Sequence, residues 1–224
     1  MIKYNISKKA DGQMILRDDN DGFENRKKYF IQQGIDIKNV VTTKLCHGIS
    51  IKKVTQDDRG KIFTETDGLV TNEKDVCLTV TIADCVPVMF WDEKQGVIGI
   101  AHAGWRGVVA NIAKEVVKKI QQEYSSDPND IQVFIGPHIQ KCHFEIQADI
   151  IDNFKDYSEQ IIRKDNKIFV DLANILKSQL TQSGVKVKNI QATSDCTYCG
   201  SEYFSYRRDK PEQVSSQIAW IINN

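Results

Sequence analysis

The hydrophobic period changes several times along the chain. Val76, Leu78, Val80 and Ile82 alternate with smaller or polar neighbours, the period of two that predicts a strand. After Asp84-Cys85 a second apolar run, VPVMFW, ends in the turn-like cluster at 92–96, and Val97 to Ala101 predicts another buried strand. Gly104-Trp105-Arg106-Gly107 interrupts it. The period then becomes four: Val108, Ile112, Val116 and Ile120 form one ridge of a helix predicted to run to about Tyr124, with Lys114, Lys118 and Lys119 on the other side. A polar turn at 125–130 precedes the strand IQVFIG. A further helix opens at Asp171-Leu172-Ala173, continues through Leu176 and Leu180, and stops at Gly184. Residues 1–45 predict short strands and a small helix beginning at Asp21-Gly22, with Phe23, Arg26, Lys27 and Phe30 along it. This alternation implies an α+β fold of mixed α/β layers, with mixed β-sheets flanked by helices, rather than a bundle or a sandwich.

Composition narrows the class. The chain has 224 residues, and 30 Lys+Arg balance 30 Asp+Glu to a formal net charge of zero. Nucleic-acid binding draws on a basic excess, because counterion release from phosphates dominates affinity; none is present. Only 4 prolines and 13 glycines punctuate the sequence, with no low-complexity linker, so one domain spanning 1–224 is expected. No apolar stretch approaches the roughly 18 residues of a membrane span. The opening MIKYNISKK is too polar for a secretory signal, and 6 cysteines fall below disulfide-scaffold density. The expectation is a cytoplasmic protein with reduced thiols, without nucleic-acid or membrane partners, acting as a monomer or homodimer.

The chemistry gathers in three places. His47 lies in LCHG at a predicted strand end, Cys85 follows Asp84 at the break between two apolar runs, and His102 lies in AHAGWRG where a strand gives way to a turn. Each alone reads as a buried small residue or a satisfied polar group. Together, two imidazoles and a thiolate make the donor set of a catalytic zinc with one position open; the same set binds copper, or acts without metal as nucleophile and base. Arg106, beside a helix start, is suited to a phosphate or carboxylate. Asp84 is a candidate proton carrier or orienter of a ligand histidine. Arg207 and Arg208, beside Tyr203, Phe204 and Tyr206, offer charge and stacking surface for a base, ribose or phosphate. Cys196-x-x-Cys199 is a single CxxC; a closed zinc site needs two more ligands, so the pair reads as pocket wall or core. His138 and His143 read as an extension of the site or, more commonly for such residues, as loop donors.

The order of these segments resembles one family. His47-Gly48, Asp67-Gly68-Leu69-Val70-Thr71, TIADCVPV at 81–88, HAGWRG at 102–107, Ile135-Gly136-Pro137, CHFEI at 142–146, Asp171-Leu172, Cys196-Thr197 and FSYRRD at 204–209 are similar to the YfiH-like, or laccase-domain, proteins. That resemblance implies a CNF1/YfiH-like fold, a metal site at His47, Cys85 and His102 (generally zinc, with copper as the alternative), and purine nucleoside phosphorylase activity with adenosine deaminase activity. Adenosine, inosine, methylthioadenosine and inorganic phosphate are then the expected ligands. Catalysis would fall to Cys85, Asp84 and Arg106, and substrate binding to Arg106, Phe204, Arg207 and Arg208. The chain departs from the family pattern at Leu45, where glutamine is usual, at His143 and Phe144, and around Gln213. Three other readings are a metal-free Cys-His hydrolase, a copper-dependent polyphenol oxidase and a cell-wall editing factor.

Overall fold

The computed structural model describes residues 1–17 and 20–224. The chain opens with β1 (Ile2–Ile6), α1 (Asp21–Gln32) and β2 (Val40–Lys44). Short strands β3 (Ile51–Lys53), β4 (Ile62–Thr64) and β5 (Gly68–Thr71) follow. The apolar runs form β6 (Cys77–Ile82), β7 (Val86–Asp92) and β8 (Val97–Ala103). Asp92 Oδ1 accepts from the Lys94 and Gln95 backbone N–H groups, and Gly96 takes φ +65°, which closes the β7–β8 hairpin. Next come α2 (Trp105–Val109), α3 (Ile112–Tyr124), β9 (Gln132–Ile135), β10 (Glu145–Ile146), β11 (Ile161–Lys164) and β12 (Lys167–Val170). The chain ends with α4 (Leu172–Gln182), β13 (Ile190–Ala192), α5 (Tyr206–Asp209) and β14 (Gln217–Asn223).

Two mixed sheets carry the architecture. One is ordered β1-β14-β6-β2-β4, the other β13-β9-β7-β8-β5-β3, and β10-β12-β11 form a small third sheet. Side-chain parity stacks them. On β14, Ala219 and Ile221 join Leu78, Val80, Met89, Ile98 and Ile100 in a core between the two large sheets. Ile218, Trp220 and Ile222 point the other way, onto Phe30 and Tyr29 of α1. On β8, Val97, Ala101 and Ala103 face the opposite layer, against Val108, Val116 and Ile120 of α2 and α3. The order is helix, sheet, sheet, helices. The α+β expectation holds, but the two sheets pack face to face, an arrangement the linear pattern did not specify. With both faces of β6 covered, its period-two alternation marks two buried layers rather than a core side and a water side: Cys77 and Thr79 are as buried as Leu78 and Val80.

The long helix after Gly107 is also different from its prediction. Helix starts earlier, at Trp105, and breaks at Asn111, which takes left-handed φ 66° before α3 begins. The break frees the Val108 carbonyl, which accepts from the buried Gln179 Nε2 at 2.7 Å and from Asn111 N at 3.0 Å. Tyr157 Oη donates to Asn111 Oδ1 at 3.3 Å. The ridge of Val108, Ile112, Val116 and Ile120 survives the break, with every member fully buried. Among the described residues no helix is long and apolar enough to cross a membrane.

Candidate metal centre and adjoining cavity

The register of β7 and β8 pairs Val86 with Ala103 and Pro87 with His102. Cys85, just before β7, and His102, near the end of β8, therefore emerge at the same end of two central strands. Parity sends His102 to the side of Ile98 and Ile100, between the two sheets. His47 arrives from the other sheet, on the loop after β2. The donor atoms of His47, Cys85 and His102 all lie within 4.8 Å of one another. The two imidazoles meet edge to face, with centroids 4.8 Å apart and planes at 87°.

Backbone conformation aims these side chains. His47 takes φ 59° and Asp84 takes φ 82°, left-handed values that cost a non-glycine residue about 1–3 kcal/mol each. Asp67, fully buried at the start of β5, holds the His47 turn: its carboxylate accepts from His47 N at 2.9 Å, Gly48 N at 2.7 Å and Cys46 Sγ at 2.9 Å. The same carboxylate contacts His102 Nδ1 at 3.3 Å, which fixes the ring and leaves Nε2 for the cluster. Gly104 closes the back. A Cβ there would lie 3.3 Å from His47 Cδ2 and 3.4 Å from both Cys85 Sγ and His102 Cε1, so a side chain would press on all three donors.

Electrostatics follow from this contact. Burial alone would raise the Cys85 thiol, but the neighbouring His102 charge and hydrogen bonds from His102 and His47 bring it down to about 6. Burial alone would lower His102; the Cys85 thiolate and Asp67 outweigh it and push the imidazole up to about 9. Asp67 loses solvation too, yet its hydrogen bonds from His102, Cys46 and Gly48 hold it well below the usual carboxylate range. A thiolate–imidazolium pair beside a carboxylate is a poised donor set. A cation can replace the His102 proton.

A cavity of 340 Å³ opens over the cluster, lined by Leu45, His47, Ile82, Cys85, His102 and Tyr206 among others. Ser216 also lines it; its hydroxyl is buried and has no hydrogen-bond partner among the described residues. A larger cavity, 440 Å³, lies at the far end of β7 around Asp92, Lys94, Asp130 and Lys186, with no Cys or His in its wall.

The other sequence candidates sit differently. The Asp84 carboxylate is hydrogen-bonded away from the histidines: Oδ1 accepts from Thr197 Oγ1 at 2.6 Å and Oδ2 from Arg207 N at 2.7 Å, so it anchors the 197 loop and the first turn of α5. The orienting carboxylate is Asp67, which the sequence reading placed in a matched segment without a role. Arg208 is committed to the fold. Its guanidinium donates to the carbonyls of Thr197, Gly200 and Tyr203 at 2.6–2.9 Å and pairs with Asp209, leaving no fork for phosphate. Phe204 lies under Lys9 Nζ, 5.7 Å from its ring centroid, and exchanges backbone hydrogen bonds with the Gln217 amide; the aromatic in the cavity wall is Tyr206. Arg207 Nη1 donates to Glu145 O at 2.9 Å and borders a separate cleft. Arg106 is exposed on the first turn of α2, two residues beyond Gly104, with its guanidinium 4.4 Å from the Trp105 centroid. His138 is buried, its Nδ1 at 2.7 Å from Gly136 O, and belongs to the loop rather than the site.

These features define a layered α+β protein with a His2Cys centre at the mouth of a cavity. The chain belongs to the multi-copper polyphenol oxidoreductase laccase family, whose model matches residues 11–223. It is 33% identical over 205 residues to the purine nucleoside phosphorylase YlmD of Bacillus subtilis, covering 86% of this chain and 74% of the relative. It is 28% identical over 192 residues to the adenosine deaminase RL5 from an unknown prokaryotic organism, covering 80% and 73%. The crystal structure of YlmD from Geobacillus stearothermophilus superposes with a TM-score of 0.94 at 29% identity, covering all of this chain and 92% of that one.

Proposed function

We propose that the chain is a purine nucleoside-processing enzyme that splits the glycosidic bond with inorganic phosphate and deaminates adenosine, using a zinc ion held by His47, Cys85 and His102. The supporting observation is the convergence of these donors on one wall of the cavity, in a family whose named members include phosphorylases and a deaminase. The donor chemistry fits a metal: two imidazoles, one thiol with a lowered pKa, a carboxylate orienting one ring, and three donors where a tetrahedral ion takes four. When bound, zinc supplies Lewis acidity, the property that lets water ionise near neutral pH.

The chain's own residues do the rest. Leu45, Ile82 and Tyr206 give the purine ring an apolar wall and an aromatic face, while the Ser216 hydroxyl offers a hydrogen bond to its polar edge. Asp67 holds His102 and the His47 turn in place as charge develops. Arg106 presents an exposed planar fork near the helix start, suited to phosphate arriving at the ribose. Asp84 and Arg208 act on position only, by fixing the 197–208 wall.

Two observations bear on the rival readings. The chain holds four histidines, of which His138 is bound to Gly136 O and His143 lies away from the cavity, so two imidazoles remain for copper. A multicopper cluster needs more. The lowered Cys85 thiol beside His102 does favour a metal-free hydrolase as the second reading. Incubation with adenosine, with and without phosphate, and separation of adenine, inosine and hypoxanthine tests the proposal. Phosphate-dependent adenine and phosphate-independent inosine are expected; turnover of neither would reject it.

A further inference from the structure

A second cluster of donors lies outside the cavity. Cys142 and His143 sit in the turn before β10, and Cys196 and Cys199 in the loop after β13, which the isolated bridge between His138 and Cys196 draws alongside. The ligand atoms of all four lie within 4.8 Å of one another. Cys142 Sγ is 3.7 Å from both Cys196 Sγ and Cys199 Sγ, and His143 Nδ1 is 3.3 Å from Cys142 Sγ and 3.2 Å from Cys199 Sγ. Zn–S bonds of about 2.3 Å at tetrahedral angles set two thiolates about 3.8 Å apart, and a thiolate and an imidazole about 3.5 Å apart. The observed separations sit at those values and far from the roughly 2.05 Å of a disulfide.

The surroundings are those of a closed centre. The His143 ring stacks on Tyr198, centroids 4.0 Å apart and planes at 17°, which fixes the direction of Nδ1. The Gln140 N–H donates to Cys196 Sγ at 3.4 Å, a hydrogen bond that stabilises a thiolate. Cys142 and Cys199 are exposed and leave an entry path. The CxxC pair, read from the sequence as wall or core for want of two partners, has both partners in the fold.

We propose that Cys142, His143, Cys196 and Cys199 form a second zinc site, a closed Cys3His centre with a structural role. Three thiolates suit a soft, borderline cation, and four protein ligands leave no position for a reacting group. The ion would tie the 138–146 turn to the 193–200 loop, which no regular pairing joins beyond that single bridge among the described residues. Its effect reaches the cavity through Thr197, next to Cys196: Thr197 Oγ1 donates to Asp84, the neighbour of Cys85, and Arg208 grips the carbonyls of Thr197 and Gly200.

The test is metal content and cobalt spectroscopy on full-length protein purified under reductant. The wild-type chain should carry about two zinc ions, and Cys199→Ser and His47→Ala about one each, because each variant empties a different site. Cobalt-loaded His47→Ala should retain a strong thiolate-to-metal charge-transfer band, and Cys199→Ser should lose most of it. Melting of Cys199→Ser should fall by several degrees relative to wild type. Should Cys199→Ser fail to fold, cobalt titration of the metal-free wild-type chain gives the same answer, as two equivalents with distinct spectra. A single metal in the wild-type chain that Cys199→Ser leaves unchanged would overturn the proposal. So would a disulfide mapped between Cys142 and Cys196 or Cys199 in freshly prepared protein.

Discussion

Asp67→Asn tests how the His2Cys centre is built. The substitution keeps the shape and removes the charge. One carboxylate oxygen faces the His47 N–H and His102 Nδ1; the other faces the Gly48 N–H at 2.7 Å and the Cys46 thiol. An amide that preserves the first pair points its NH2 at the Gly48 N–H, donor against donor. Leaving that half-buried N–H facing another donor costs up to about 1–3 kcal/mol, and weakening the remaining charge-assisted bonds adds a similar amount. The expected loss is about 2–4 kcal/mol, or about 4–16 °C in Tm at this chain length. Zinc affinity should fall about 10- to 100-fold, since His102 loses the group that fixes its ring. The folded Asp67 carboxyl is held below its ordinary 3.8, so its contribution is present above that pH and is lost on acidification. The gap between wild type and variant should therefore shrink below about pH 4. The part carried by protonated His102, whose folded value is raised to about 9, should be full below about 6.5 and lost as pH rises through about 9. Thermal melts across this range, with competitive zinc titration against a chromophoric chelator, give both numbers. A Tm within a degree of wild type and unchanged zinc affinity would refute the assignment of Asp67 as the residue that organises the centre.

Other outcomes follow from the same geometry. Arg106→Ala should cut phosphate-dependent base release about ten- to a hundredfold while leaving metal content intact, with Arg106→Lys rescuing part of it; unchanged phosphate dependence would remove Arg106 from anion binding. Arg208→Ala should destabilise the fold by about 2–4 kcal/mol, because three carbonyls lose a charged donor. A stable Arg208→Ala protein with weakened phosphate use would return that residue to the substrate site. In metal-free protein, Cys85 alkylation should rise through pH about 6, since thiolate forms above the lowered value, and zinc should block it. A midpoint near an ordinary thiol's value would contradict the ion pair with His102.

β6, β7, β8 and α4 were legible because each carries a local period and an end signal: Asp92 and Gly96 in the hairpin, Asp171 and Gly184 around the helix. The break at Asn111 was not, because Gln179, distant in sequence, satisfies the freed Val108 carbonyl. The candidate donors His47, Cys85 and His102 stood out as scarce residue types at strand breaks. Their orienting carboxylate did not, since Asp67 meets His102 only after β5 and β8 pair, Gly68 opposite Ala101. The hydrogen-bond partners of Arg208 and Asp84 were hidden for the same reason: Thr197, Gly200 and Tyr203 are brought to them by loop packing, not by spacing. Cys142 and His143 lie more than fifty residues from Cys196, and the β9–β13 pairing together with the His138–Cys196 bridge brings their loops together.

The central claim is that nucleoside chemistry takes place at the His47, Cys85 and His102 centre, and adenosine turnover by His47→Ala measures it most directly. His47 lies on an exposed turn, so the variant should fold and keep the cobalt signal of the Cys142 cluster. Chromatography of adenosine reactions with and without phosphate should then show adenine and inosine formation reduced at least about 100-fold relative to wild type. Formation of both products at the wild-type rate, by a folded His47→Ala protein lacking the first metal, would contradict the account.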